Sequence, residues 1–278
     1  MTNPIKCVYV FLMPFVALFA TGCHGIEEWD NSAQGNFDAL WTTVDEHYCF
    51  FADKDIDWDS CYVKYGQRIY PGMSSSQLYE ACADMLAELK DGHVNLIAGL
   101  STSYYTKWWS DYPQNYDKRL VREYYLGFDS RAMGSVRYAI LPQNIGYISY
   151  PSFDTSLGDG NLDIILNYFS LCTGIIIDIR DNGGGKLTAS EKLARRFVRE
   201  RTLAGYFVNK TGPGHNDFSK PFEQYIDPVE DGHMAWTKPV VVLTNRSTFS
   251  AANNFASIMQ YLPGCVSVSY THLTLPTT

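Results

Sequence analysis

Two polar turns, each directly behind a run of β-branched residues, carry the residue types that acyl transfer requires. The first closes Gly174-Ile-Ile-Ile-Asp-Ile-Arg-Asp-Asn-Gly-Gly-Gly185. The second lies within Pro239-Val-Val-Val-Leu-Thr-Asn-Arg-Ser-Thr-Phe-Ser-Ala-Ala-Asn-Asn-Phe255. Acyl transfer needs a nucleophile, a base within reach and donors aimed at the developing oxyanion. Ser250 opens a helix-patterned stretch, residues 251–261, where free N–H groups and the helix dipole favour negative charge. The amide of Ala251 is one candidate oxyanion donor. Gly183, Gly184 and Gly185 can supply the other, because a backbone without Cβ lets a carbonyl approach closely. Each feature also has a plainer reading. A serine at a helix start is commonly an N-cap, and a glycine triplet behind a strand is commonly a turn or a phosphate cradle.

The surrounding pattern supplies elements to hold these turns. Phe37, Leu40, Trp41, Val44 and Tyr48 keep helical spacing, so residues 36–50 read as an amphipathic helix. A turn over 55–59 and a short helix over 61–69 follow. Leu78, Cys82, Met85, Leu86 and Leu89 form one stripe, with Ser74 and Gln77 placed as a capping box. That helix stops at Asp91-Gly92, ahead of His93 and a strand over 94–97. Residues 101–130 show no dominant period and read as a loop-rich connection. Strands are expected over 136–141 and 145–150, around a turn at Pro142-Gln-Asn. A helix marked by Leu162, Ile165, Leu166 and Phe169 leads into a buried strand over 175–179. Beyond the glycines come a helix marked by Leu193, Ala194, Phe197 and Val198, a strand over 203–208, a loop over 212–231, and a buried strand over 240–243. Strand, helix and strand in succession imply βαβ units and a parallel sheet, whose chemistry sits beyond the carboxyl ends of the strands.

The two ends of the sequence read differently. Lys6, an apolar run over 8–20 and Ala20-Thr21-Gly22-Cys23 have the form of an export signal, since the run is too short to span a bilayer. Small residues before a cysteine resemble a bacterial lipobox, so residues 1–22 are expected to be a lipoprotein signal peptide and Cys23 the lipidated residue. A plain secretory signal is the alternative. Residues 23–35, with Glu27, Glu28 and Asp30, read as a tether. The closing stretch, 267–278, resembles the in-frame translation of a sequencing adapter, so His272 is no catalytic candidate and the peptidase-like part is expected to be incomplete and inactive as it stands. The formal net charge of −8 and the lack of a long basic cluster argue against nucleic-acid binding. Cys49, Cys61, Cys82, Cys172 and Cys265 match no zinc spacing. Cys49–Cys61 or Cys61–Cys82 could pair after export, or the thiols could stay free.

Three segments together carry a family resemblance: Asp178-Ile-Arg-Asp-Asn-Gly-Gly-Gly185, Thr244-Asn-Arg-Ser-Thr-Phe-Ser-Ala-Ala252, and Leu89-Lys-Asp-Gly-His93 behind a helical domain. They resemble the S41 serine peptidases, which include the C-terminal processing proteases and the tricorn protease core. The resemblance implies an α/β fold: a ClpP/crotonase-like core of βαβ units over 136–266 with a small N-terminal helical domain over 36–97 and a connection over 98–135. It implies Ser250 as nucleophile and an oxyanion hole from the amide of Gly183 or Gly184 plus that of Ala251. Processing proteases use a lysine shortly after the serine, but residues 251–266 contain none. Tricorn-like members use a histidine matching His93, so His93 is the expected general base. Asp231-Gly-His233 repeats its tripeptide without a helical lead-in. Two departures stand out. Asn253 replaces the usual acidic residue, and residues 98–135 show no clear PDZ carboxylate-binding loop, which puts selection of free C-termini in doubt. Residues 104–109 could line a substrate groove or simply pack.

The expectation is therefore an exported, lipid-anchored serine endopeptidase of the cell envelope, acting on extended or unfolded polypeptide through an acyl-enzyme. No metal or organic cofactor is implied. One rival is a catalytically silent module of the same fold that holds a peptide or apolar ligand. Another is a crotonase-like acyl-CoA enzyme, which would share the oxyanion hole and have no need of Ser250.

Overall fold

The structure, a computed structural model, describes residues 30–127 and 129–269. The expected signal peptide, the lipidation residue Cys23, most of the tether and residues 270–278 lie outside the described residues.

A helical lobe comes first. Ser32 caps α1 (Ala33–His47) by accepting the Gly35 N–H at 3.0 Å, which satisfies a donor that the first turn leaves orphaned. Two short helices, α2 (Phe51–Lys54) and α3 (Trp58–Gly66), follow, and α4 (Ser75–Ala87) begins at the expected capping box, with Ser74 and Gln77 each accepting from the other's backbone. Phe37, Phe51, Trp58, Met85 and Leu89 fill the interior of the lobe. Trp41 and Trp58 lock α1 to α3, each indole N–H donating to the other's carbonyl at 3.0 and 3.1 Å. All five described cysteines are free thiols, and burial pushes Cys82 up to about 11, well above ionisation at neutral pH.

The expected loop-rich connection is more structured than its sequence suggests. The strand expected over 94–97 forms as β1 (Asn95–Ala98), and the connection supplies its antiparallel partner β2 (Ser101–Tyr104) and two short helices, α5 (Lys107–Ser110) and α6 (Lys118–Tyr124). Elements this short give no period to detect.

The core is a six-stranded sheet. It contains β3 (Arg131–Met133), β4 (Val136–Leu141), β5 (Ile145–Ser149), β6 (Gly174–Asp178), β9 (Val240–Thr244) and β10 (Cys265–Ser269), in the order β10-β9-β6-β5-β4-β3. The β5, β6, β9 and β10 ladder is parallel, while β3, β4 and β5 pair antiparallel. Between the parallel strands run α7 (Asp159–Tyr168), α8 (Leu187–Arg195) and α9 (Ala251–Gln260). Side chains along β6 alternate as a pleat requires. Ile175 and Ile177 join the large core with Phe255 and Met259, while Ile176 packs on the opposite face against Tyr147 and Ala139. β10 reaches Ser269, two residues beyond the start of the stretch read as adapter-like.

One expectation is overturned. The strand over 203–208 does not extend the parallel sheet. As β7 (Thr202–Phe207) it forms a separate antiparallel hairpin with β8 (Phe222–Ile226), a strand inside the stretch read as loop, with a bulge between Leu203 and Gly205. A parallel strand buried on both faces needs a continuous apolar run. β7 instead breaks at Gly205 and leaves Tyr206 and Phe207 exposed.

A buried arginine fastens the segment before β9 to α7. Arg196, fully buried, donates to Asp159 Oδ1 at 2.8 Å, to Asp163 and to the Met234 carbonyl at 2.9 Å. Asp163 also meets His233 Nδ1 at 2.7 Å and accepts the Met234 N–H. Burial alone would raise the Asp163 carboxyl. The hydrogen bonds from His233, Met234 and Arg196 outweigh it and hold the group at about 2. Arg196→Met is expected to destabilise the fold by on the order of 3 kcal/mol, because it strands partly buried carboxylates. Urea unfolding measures this. A depressed carboxylate contributes stability above its unfolded value near 3.9. The Asp163 contribution is therefore present at neutral pH and lost as pH falls through about 2.

Candidate active site

β6 and β9 are adjacent and parallel, so the turns leaving their carboxyl ends emerge side by side. The first turn is braced from below. Asp178, buried, accepts the Tyr147 hydroxyl at 2.6 Å and a two-point guanidinium contact from Arg180 at 2.9 and 2.5 Å. Arg180 in turn lies 4.2 Å from the Tyr116 ring centroid. Burial, reinforced by the Asp178 charge, pushes the Tyr116 hydroxyl up to about 12.

The two turns are then stitched together. Asn245 Oδ1 accepts the Asp181 N–H at 2.9 Å, and its Nδ2 donates to Asp181 Oδ1 at 2.7 Å. Thr248 Oγ1 donates to the Ile179 carbonyl at 3.0 Å. The Phe249 N–H donates to the Asn182 carbonyl at 3.0 Å. Asn182, with no exposed surface, donates to the Tyr150 carbonyl and accepts the Gly184 N–H, both at 2.8 Å. Sequence reasoning passed over Asn182, Asn245 and Thr248. Their signal was only that polar residues crowd two strand ends.

These bonds bring the glycine turn into contact with Ser250. Gly184, at φ +95°, lies so close that an added methyl would sit 2.7 Å from Ser250 Cβ and 2.8 Å from the Ala251 nitrogen. Ser250 itself holds φ 53° and ψ −124°, a conformation that suits glycine and strains other residues by roughly 1–3 kcal/mol. Its hydroxyl caps no helix amide, which removes the N-cap reading. Of the candidate donors, Gly184 has given its N–H to Asn182, whereas the amides of Gly183 and Ala251 meet no acceptor among the described residues. Gly183 is exposed and Ala251 starts α9, so two amides remain available at this point.

His93 arrives from the helical lobe. Its ring stacks on Phe249, the neighbour of Ser250, with centroids 4.1 Å apart and planes at 27°. Trp108 stacks on Phe249 as well, at 4.4 Å. The Arg246 Nε–H donates to the Trp108 carbonyl at 2.6 Å, and the Arg246 guanidinium lies 4.0 Å from the Tyr112 ring centroid. Of the aromatic stretch over 104–109, Trp108 thus packs on the serine turn, while Tyr104 and Trp109 stay exposed. Behind His93, Asp91 Oδ1 accepts the His93 N–H at 2.9 Å and lies 3.7 Å from Nδ1. Asp91 Oδ2 accepts from the Tyr48 hydroxyl at 2.8 Å and from Lys54 at 3.1 Å. No hydrogen bond joins Ser250 Oγ to His93 in this conformation. His233, the repeat of the tripeptide, is committed to Asp163 instead. Among the described residues no group of three or more His, Cys, Asp or Glu side chains could hold a metal ion. A hydroxyl held in strain, two unbonded amides and an adjacent imidazole are the components of an acyl-transfer centre.

Comparison with known proteins identifies the family and the fold. The profile of peptidase family S41 matches residues 144–268, and that of the tricorn protease C1 domain matches residues 30–87. A solved structure of a candidate peptidase from Parabacteroides merdae is 43% identical. It superposes with a TM-score of 0.80, covering 86% of this chain and 75% of its own. Mature CPAF, 11% identical, shares the fold at a TM-score of 0.60 over 84% of this chain and 82% of its own. A carboxyl-terminal-processing protease of Synechocystis is 34% identical over 87 residues, which is 31% of this chain and 18% of that protein.

Proposed function

The chain belongs to peptidase family S41, and on that premise we propose that it is a serine endopeptidase cleaving extended or unfolded polypeptide through an acyl-enzyme. The observation that carries the proposal is the close approach of Gly184 to Ser250 and the Ala251 nitrogen, which puts the turn bearing the unbonded Gly183 amide against the turn of the strained serine. In this reading His93 takes the Ser250 proton as Oγ attacks the scissile carbonyl. The Gly183 and Ala251 N–H groups hold the oxyanion. The imidazolium then protonates the leaving amine, and water releases the acyl group by the reverse path. The Ser250–His93 hydrogen bond forms on substrate binding by rotation of the imidazole on Phe249, since such bonds are often unmade in free enzymes.

The test belongs on the protein expressed from its complete gene. A fluorophosphonate probe should label Ser250, and labelling should vanish in Ser250→Ala. Labelling that survives the substitution overturns the nucleophile assignment. Absence of both labelling and casein turnover favours a peptide-binding module with no activity.

Export and anchoring through Cys23 belong to the same proposal and rest on the leader pattern alone. No helix of the described residues is long and apolar enough to cross a membrane. Incorporation of labelled palmitate into cells expressing the protein should disappear in Cys23→Ala. Retained label would dismiss the anchor.

A further inference from the structure

Asp91 was read from the sequence as a helix-stop residue, and its surroundings give it a second task. Three segments converge on its carboxylate. Tyr48 at the end of α1 and Lys54 at the end of α2 both donate to Oδ2, while the His93 backbone N–H donates to Oδ1. Lys54 is itself fixed, donating also to the carbonyls of Leu89 and Lys90 at 2.9 and 3.3 Å. The carboxylate therefore cannot swing away, and its side chain is only 12% exposed. Burial alone would raise it. The His93 side chain and amide, Tyr48 and Lys54 together overcome that and hold it well below the usual carboxylate range.

The imidazole of His93 has two neighbours of different kinds. On its flat face lies Phe249, which can neither donate nor accept. At its edge, Nδ1 faces Asp91 Oδ1 at 3.7 Å. An anion at that edge favours the proton on Nδ1 and leaves the Nε2 lone pair free. We infer that Asp91 is the positioning residue of the catalytic histidine: it sets the His93 tautomer and stabilises the imidazolium formed when Nε2 takes the Ser250 proton. This rests on the serine-peptidase reading above. The proton path balances: Oγ–H breaks as Nε2–H forms, and Asp91 stays ionised throughout. The charged and titratable groups facing the Asp91–His93 pair are Tyr48 and Lys54, with Cys49 and Asp53 acting on Tyr48. Phe249 and Trp108, on the ring's other side, bring none.

The experiment uses the complete protein and a fluorogenic casein substrate, with Ser250→Ala and His93→Ala as controls. Both controls should be inactive, and turnover by Ser250→Ala would remove the peptidase reading and this inference with it. With the controls inactive, Asp91→Asn should lower kcat about 10²-fold with KM within about twofold, less than a fully hydrogen-bonded triad carboxylate costs because the pair stands 3.7 Å apart. Asp91→Glu should recover part of kcat. Wild-type kcat in Asp91→Asn overturns the inference and leaves the peptidase standing. Nitrogen-15 spectra of the intact protein decide the matter even if the variant does not fold. The neutral His93 ring, assigned by difference from His93→Gln, should carry its proton on Nδ1. A proton on Nε2 overturns the inference.

Discussion

Ser250→Ala is expected to lower kcat by about 10⁴- to 10⁶-fold, because removing the nucleophile of a cooperating group leaves only binding and the oxyanion donors. The loss should come without a loss of fold, since the Ser250 hydroxyl caps no helix amide. A companion substitution separates chemistry from stability. Ser250 sits at φ 53° and ψ −124°, which glycine adopts freely and serine does not. Ser250→Gly should therefore be equally inactive yet more stable than the parent, by roughly 1 kcal/mol once glycine's larger unfolded-state entropy is set against the relieved strain. Urea unfolding of the parent and both variants measures this. A glycine variant less stable than the alanine one would show that the strained turn has no energetic weight. A residue kept in a conformation it disfavours, where a simpler one would fit, marks a place where function overrides local preference.

Gly184→Ala should damage the site almost as severely by a different route. The new methyl would meet the Phe249 carbonyl oxygen at 2.7 Å, Ser250 Cβ at 2.7 Å and the Ala251 nitrogen at 2.8 Å. None of these is the free end of a flexible side chain. The backbone at φ +95° is itself strained for alanine, by roughly 1–3 kcal/mol. Relief requires the serine turn and the glycine turn to separate. A displacement near 1 Å costs on the order of 10²-fold in rate where alignment carries the chemistry. The expected result is a kcat lower by at least about that factor, together with slower phosphonylation of Ser250 and a reduced unfolding midpoint. An alanine variant with parental kcat would mean that the two turns do not share a reaction centre.

How far the sequence led can be judged residue by residue. Ser250, the glycine triplet and His93 were legible as candidates because each is an unusual residue type at a marked position, behind a strand or at a helix end. The capping box at Ser74 and Gln77 was legible for the same local reason. What brings these pieces together was not legible. The Asn182–Phe249, Asn245–Asp181 and His93–Phe249–Trp108 contacts join segments dozens of residues apart, and each partner is common in any loop. Asp91 looked like half of a helix stop, since only the fold brings Tyr48 and Lys54 onto its carboxylate. The choice between Gly183 and Gly184 turned on a single side-chain bond from Asn182. In the fold itself, the strand expected over 94–97 formed as β1, its four-residue partner β2 was too short for any period to declare it, and β7 had the composition of a strand without the apolar continuity that a central one needs.

The most direct measurement is a crystal structure of the complete protein phosphonylated by a fluorophosphonate. The adduct should be on Ser250 Oγ, with one phosphonyl oxygen 2.7–3.1 Å from both the Gly183 and Ala251 nitrogens. The His93 imidazole should have rotated on Phe249 to face the ester oxygen. An adduct on another residue, or a phosphonyl oxygen directed into solvent with both amides unused, would contradict the shared reaction centre.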